Sequence, residues 1–507
     1  MVKIYPLLML FLSICLSVCA EQADEDSLTT VVESHDSIVV DMMCDDSLRS
    51  VVRRPWLAAA ECVGLHAALL SVDRFIIDGD YAHVTMSTVS RNIKMRHWWY
   101  DVDEFYTNCI HHPYHGSLYY NAARSNGMGI GASALYATGG SLLWELMGEN
   151  ELPSVNDMLA TPAGGVAIGE VLHQFSRRLL SRPSYGVERV GREIAAALVN
   201  PAQAVTRMLT GEMFRRKSYC DYEKIADGDT LTVLVSGGWR RLTSNVTVDG
   251  LGRHTALTLP YLSLHAERGM ICDSRRTRPY DWFTTDFTLT GGKGQQVINE
   301  ARVVAQLYGI PIAHGKRQAL TVGIYQHFGY YASSREGNNL PGDFVPAPYE
   351  LCEAASAGLG MAYCWQHTSR LRTEQAVWVN GVALGGITSD YPNDIDNRDY
   401  HFGSGFNVKL HGGVFYSNRF MMIVDAENHH LYTRLDCGDV PSLRSYAQGH
   451  RGSANVWHVR SGLYLRLWQG LGISATAIYH HRSTHYTYKP YRSAHAWDIR
   501  AGIACWL

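Results

Sequence analysis

The chain is 507 residues long, 46% hydrophobic and 18% charged, which excludes a disordered tail and leaves room for two or three domains. A mean hydropathy of −0.13 excludes a bundle of transmembrane helices. The net charge of −3 hides two unlike parts. Residues 21–48 carry nine acidic side chains and no Lys or Arg, and with Lys3 in the leader this leaves the body from Arg49 onward at +5.

Residues 1–20 read as a secretory signal peptide. Lys3 supplies the positive n-region, Leu7 to Ser17 the apolar core, and Val18-Cys19-Ala20 a small-residue cleavage site. Export follows, and with it the practical exclusion of nucleic acid as a partner. Residues 21–52 are acidic, lack periodicity and read as a solvated linker. Nine cysteines remain after the leader with no CxxC pair, so neither a zinc site nor a redox pair is signalled. Cys352 and Cys364 could pair, although scattered buried thiols explain the pattern as well.

Residues 53–220 form the first folded unit, a small helical domain. Helical patterning runs from Trp56 to about Ile77, from Gly129 to Met147, from Val155 to about Leu180 and from Glu188 to about Phe214. Pro162 and three glycines interrupt the third segment. Gly165-xxx-Gly169 and Gly127-xxx-Gly131 place small residues one turn apart, a spacing that lets helix backbones approach closely. Glu145 marks the Ile130–Met147 stretch as a buried helix.

From about Asp229 the period changes to two. In 455–469, Trp457, Val459, Leu463, Leu465 and Leu467 share one face, while His458, Arg460, Tyr464 and Arg466 share the other. In 402–414, Phe402, Phe406, Val408, Leu410 and Val414 oppose Asn407, Lys409 and His411. About twelve such segments reach the end of the chain at Leu507. They are longer than ordinary strands and match the ~9–11 residues needed to cross an outer membrane with apolar side chains toward lipid. The expected fold is α+β, mainly β: a C-terminal transmembrane antiparallel β-barrel of about 12 strands over 225–507, preceded by the helical domain.

Polar residues concentrate in one stretch. Asp101-Val102-Asp103-Glu104-Phe105 leads to Asn108, His111-His112-Pro113-Tyr114-His115-Gly116-Ser117 and Ala122-Ala123-Arg124-Ser125-Asn126-Gly127. Trp144-Glu145-Leu146-Met147-Gly148-Glu149, Pro153-Ser154-Val155-Asn156-Asp157, Thr161-Pro162-Ala163-Gly164-Gly165 and Gly169-Glu170 follow. This arrangement resembles domain-of-unknown-function family 3943, a family of uncharacterised bacterial envelope proteins, over about residues 90–180. The resemblance implies an envelope location and no particular reaction.

The candidate polar cluster is His112, His115, Arg124, Glu145, Glu149, Ser154, Asn156, Asp157 and Glu170. Glu145 and Glu149 share a helix face, where two carboxylates repel and one holds its proton more tightly. Arg124 or a histidine could instead neutralise them structurally. A divalent metal could be held by Asp101, Asp103, His112 and His115, since histidine with carboxylate suits zinc or a related ion. Against this, Pro113 prevents a regular helical His-x-x-His pair, and hydrogen-bonded core histidines are the competing explanation. Ser154 and Asp157 fit a helix N-cap and its capping partner. No G-x-S-x-G elbow, P-loop, Rossmann fingerprint, EF-hand or haem CxxCH occurs. The basic charge is nearly all arginine. Arg240, Arg241, Arg253, Arg268, Arg275, Arg276, Arg278, Arg460, Arg466 and Arg482 could meet anionic lipopolysaccharide or pair with carboxylates in the lumen.

Three functions fit. The first is an outer-membrane protein whose helical domain plugs or docks on the barrel and binds a lipid or envelope partner. The second is a lipid- or lipopolysaccharide-modifying hydrolase that uses the His/Glu/Asp cluster. The third is a gated transport channel.

Overall fold

The computed structural model describes residues 52–94, 98–181, 184–215, 231–248, 251–273, 278–292, 295–333, 346–391, 399–435 and 448–507. The leader and nearly all of the acidic linker lie outside them, as do Arg275 and Arg276. The helices are α1 (Pro55–Val72), α2 (Met86–Lys94), α3 (His112–Ser125), α4 (Ile130–Met147), α5 (Val155–Leu179), α6 (Gly186–Val199) and α7 (Pro201–Leu209). The strands are β1 (Leu231–Val248), β2 (Leu251–Arg268), β3 (Phe283–Thr290), β4 (Ile298–His314), β5 (Gln318–Ala332) and β6 (Glu350–Gln366), then β7 (Leu371–Thr388), β8 (Tyr400–Tyr416), β9 (Phe420–Thr433), β10 (Gly452–Trp468), β11 (Leu471–Tyr486) and β12 (Arg492–Trp506).

Each strand pairs antiparallel with its sequence neighbours, and β1 closes on β12. The result is a closed twelve-stranded barrel, the fold of an outer-membrane β-barrel.

Alternation sorts each strand into a lumen face and an outer face. The lumen face is identified by ion pairs between strands on opposite sides of the ring. Arg460 of β10 lies 2.8 Å from Asp286 of β3, 3.3 Å from Glu300 of β4 and 2.7 Å from Asp425 of β9. Arg302 of β4 reaches Asp425 at 3.2 Å and Glu427 at 3.1 Å, both on β9. Arg500 reaches Glu300 at 3.0 Å, and Arg240 reaches Asp498 at 2.8 Å. Lys409 sits 2.5 Å from Glu353 and 3.2 Å from Glu427. Buried charges persist only when paired in this way. Arg240, Arg460 and Arg482 thus serve as lumen ion-pair partners, Arg482 through Asp390.

The outer face carries Trp457, Leu463, Leu467, Ile473, Trp497 and Ile503, all exposed in the isolated chain. On β3 to β8 the same face is partly covered. Phe283, Val303, Ala305, Phe328, Tyr330, Cys352 and Phe402 alternate with the lumen residues, so they point outward, and they form one buried cluster with Phe105, Cys109, Ile110, Ala160, Ala167 and Val171 of the helical domain. The helical domain therefore packs against the outer wall of the barrel. The Phe105 ring stacks on Tyr330 at 5.5 Å and meets Tyr400 edge-on at 5.2 Å, and Tyr100 covers Phe402 at 5.6 Å. Asn108 donates to the Tyr400 hydroxyl at 2.7 Å, Gln326 to the Ala163 carbonyl at 2.8 Å, and Gln448 to the Tyr100 hydroxyl at 2.8 Å. A plug inside the lumen would have used the opposite face of each strand.

Several local expectations need correction. Pro162 sits inside α5 without breaking it. The lost backbone bond is offset by close packing, because Gly165 lies directly on Gly116 of α3, where a Cβ would come within 2.6 Å of its backbone. Gly169 likewise leaves room for Tyr120, whereas Gly127 supplies a left-handed turn (φ 81°) and Gly131 meets no neighbour. Pro113 does not prevent a helix. It stands just after the π-helical turn Thr107–His111, and the helical backbone runs on through it into α3. The segment 188–214 is two helices, because Asn200 precedes Pro201 and caps α7 by accepting from the Gln203 N–H. Cys352 and Cys364 are both free thiols, as are Cys62, Cys109 and Cys272.

Candidate functional site

Ser154 ends the approach to α5 in extended conformation, and its Oγ accepts from the Asp157 N–H at 3.2 Å, the N-cap expected from Pro-Ser-x-x-Asp. A short parallel bridge then ties Trp99 to Ser154: Trp99 N donates to the Pro153 carbonyl and Val155 N to the Trp99 carbonyl, at 3.2 and 2.8 Å. This bridge brings Asp101 to the N-terminus of α5. Asp101 N donates to Asn156 Oδ1 at 2.9 Å. The first residue of α3, His112, places Nε2 3.5 Å from Asp157 Oδ1. Glu145, near the end of α4, accepts from the Ser154 N–H at 2.7 Å.

These contacts gather Asp101, His112, Glu145, Ser154, Asn156 and Asp157 into one centre. Asn156 is fully buried and donates to Asp157 Oδ1 and to Asn108 Oδ1, both at 2.9 Å. The Ser154 hydroxyl donates to the second Asp157 oxygen. The positive end of the α5 dipole supports negative charge here.

Burial raises the Asp157 carboxyl to about 7, against the hydrogen bonds from Ser154 and Asn156. Burial and then the Asp157 charge push Asp101 and Glu145 well above the usual carboxylate range. Glu149 is raised by burial and then by Glu145, as expected of two carboxylates on one helix face. Burial lowers His112. The centre is thus a set of buried acids whose carboxyls are all pushed upward, with an imidazole pushed downward beside them.

The other predicted residues lie elsewhere. His115 turns away, with its Nε2 2.9 Å from the Tyr119 hydroxyl and its ring edge-on to Trp144 at 4.6 Å. Burial lowers it to about 3, so it is a neutral core histidine. Asp103 is exposed. Both therefore drop out of the expected metal set, and Asp157 enters it. Arg124 and Glu170 form a separate node between α3 and α5. Arg124 Nε lies 2.8 Å from the fully buried Glu170 carboxylate, which also accepts from Tyr120 and Gln174 at 2.6 Å each. Burial works to raise Glu170, but Arg124 prevails and holds it at about 2.

Sequence reasoning missed a second gathering, Glu353, Glu427 and His429 in the lumen. Its signal was alternation alone, since Glu427 and His429 fall on the lumen face of β9. Lys409 already sits between the two carboxylates.

No curated protein matches the chain. Among solved structures, the NanC porin is similar at 9% identity and a TM-score of 0.23, over 53% of this chain and 100% of the porin. An outer-membrane channel from Pseudomonas putida F1 is similar at 9% identity and a TM-score of 0.26, over 55% of this chain and 96% of the channel. The transport unit of the autotransporter AIDA-I from Escherichia coli is similar at 10% identity and a TM-score of 0.25, over 55% and 90%. The barrel assignment rests on the strand pairing itself. Residues 97–202, the part of the helical domain that holds the polar centre, match the family model described as Domain of unknown function (DUF3943).

Proposed function

We propose that the protein is an outer-membrane protein whose charge-filled barrel is an anchor and whose helical domain, docked on the outer wall, binds membrane lipid. The carrying observation is the inverted polarity of the helices. On α1, Glu61 and His66 are buried at 6% and 8% exposure, while Trp56 is 87% exposed and Phe75 and Ile76, in the turn that follows, are 78% and 77% exposed. Val187, Val190, Ile194 and Leu198 form an exposed apolar stripe along α6. A domain facing water buries such side chains, and a continuous exposed patch of this kind signals an apolar partner. Acyl chains are that partner because the helical domain already lies against a wall whose remaining outer face is apolar. Among the described residues, the run Pro55–Ile77 is also long and apolar enough to cross a membrane.

The rival readings lack such support. The cross-lumen ion pairs of Arg460, Arg302 and Arg500 oppose an open transport channel. Of the His/Glu/Asp set that the hydrolase reading would use, His115 is turned onto the Tyr119 hydroxyl and does not join the polar centre.

The test uses full-length protein in vesicles that contain a phospholipid with a photoactivatable diazirine in its acyl chain. Labelled peptides are expected from α1 and α6 as well as from β10 to β12. Labelling confined to the barrel strands, with α1 and α6 modified instead by a water-soluble carbene reagent, would contradict the reading.

A further inference from the structure

We propose that Asp101, His112 and Asp157 form a divalent-cation site within the helical domain, with zinc or manganese as the fitting class of ion. One ligand atom from each of the three lies within 4.8 Å of the other two, close enough for side-chain rotation to bring them onto one ion. Two ligand atoms bound to one ion at ~2.1 Å lie about 3–3.5 Å apart at tetrahedral or octahedral angles. His112 Nε2 and Asp157 Oδ1 are 3.5 Å apart. That nitrogen is buried and makes no hydrogen bond among the described residues. An imidazole nitrogen aimed at a carboxylate and left without a hydrogen bond is an expensive arrangement for packing alone, and a ligated cation satisfies it.

The surroundings match a metal site. Ligating carboxylates are held by further hydrogen bonds. Here Asn156 fixes both Asp157 Oδ1 and the backbone of Asp101, Ser154 holds the other Asp157 oxygen, and Glu145 fixes the Ser154 backbone. One imidazole and two carboxylates suit a borderline divalent ion and leave coordination positions for water or an oxygen ligand. The lumen gathering of Glu353, Glu427 and His429 is a poor alternative, because the Lys409 ammonium already supplies its positive charge.

The experiment is metal titration of the full-length protein in detergent after chelator treatment. Zn²⁺ and Mn²⁺ are titrated calorimetrically, and the absorption spectrum is recorded with Co²⁺. One ion per chain is expected, with a cobalt visible band. His112→Gln and Asp101→Asn should each weaken binding at least about tenfold and remove or shift that band, and His115→Ala should leave both unchanged. Circular dichroism checks that each variant is folded. If a variant fails to fold, the wild-type stoichiometry and cobalt spectrum still decide. Absence of binding by the wild type, or binding and a cobalt band unaltered in folded His112→Gln, would overturn the assignment.

Discussion

Replacing Arg460 with alanine should lower the stability of the barrel by about 3–5 kcal/mol, the cost of removing one partner from a buried charge network. The guanidinium stands among Asp286, Glu300 and Asp425, which come from three different strands. Without it, Asp286 and Asp425 share Arg302 as their remaining guanidinium and Glu300 keeps Arg500, so three buried carboxylates are left with too little positive charge. Urea unfolding in detergent, followed by the gel shift between folded and unfolded barrel, measures the loss. A second substitution, Asp425→Asn, should restore part of it, because it removes one carboxylate from a network that has lost a guanidinium. An unchanged unfolding midpoint in Arg460→Ala would mean that the lumen is already wet and that the pairs are incidental.

Glu170→Gln should destabilise the helical domain by about 3 kcal/mol, the lower end of the cost of breaking a buried pair, because Arg124 keeps some solvent contact. The pH dependence has a definite sign. The folded carboxyl sits at about 2, below its ordinary 4.5, so its contribution is fully present above pH 4.5 and is lost as the pH falls through 2. Hydrogen exchange of α3 and α5 peptides should show wild-type protection falling on acidification, and a much flatter profile in Glu170→Gln. Equal acid sensitivity in both proteins would remove Glu170 as the cause.

Much of this architecture is legible in the amino-acid sequence, within physical limits. Alternation identifies the strands because a barrel wall has two solvents, and each side chain shows which one it meets. It cannot distinguish two apolar covers. Phe402 and Phe406 share the outer face and read identically, yet Tyr100 packs on Phe402 while Phe406 remains exposed. Docking on the outer wall was hidden for that reason. Helix α3 was hidden by its polar composition and by Pro113, since its helicity comes from packing against α5 through Gly116 and Gly165. At the polar centre, the capping role of Ser154 and Asp157 was readable from spacing. The arrival of Asp101 beside them depends on the Trp99–Ser154 bridge, a long-range pairing that no local pattern announces. Glu170 and Arg124 group by residue type with the polar centre, yet they pair with each other in a separate node between α3 and α5. Chemistry selects residue types, whereas only the packing of α3 on α5 selects their neighbours.

The central claim, a helical domain docked on the outside of a closed barrel, can be tested with two native thiols. Cys109 of the helical domain and Cys352 of β6 are neighbours across the interface, and both lie against Gly386 on the outer face. Mild oxidation of the reconstituted protein, followed by peptide mass mapping, should recover the Cys109 peptide joined to the Cys352 peptide, and the Cys352→Ser variant should abolish the link. If Cys109 stays unlinked to Cys352 and instead joins a residue of the lumen face when a short cross-linker is added, the helical domain is inside the barrel and the account fails.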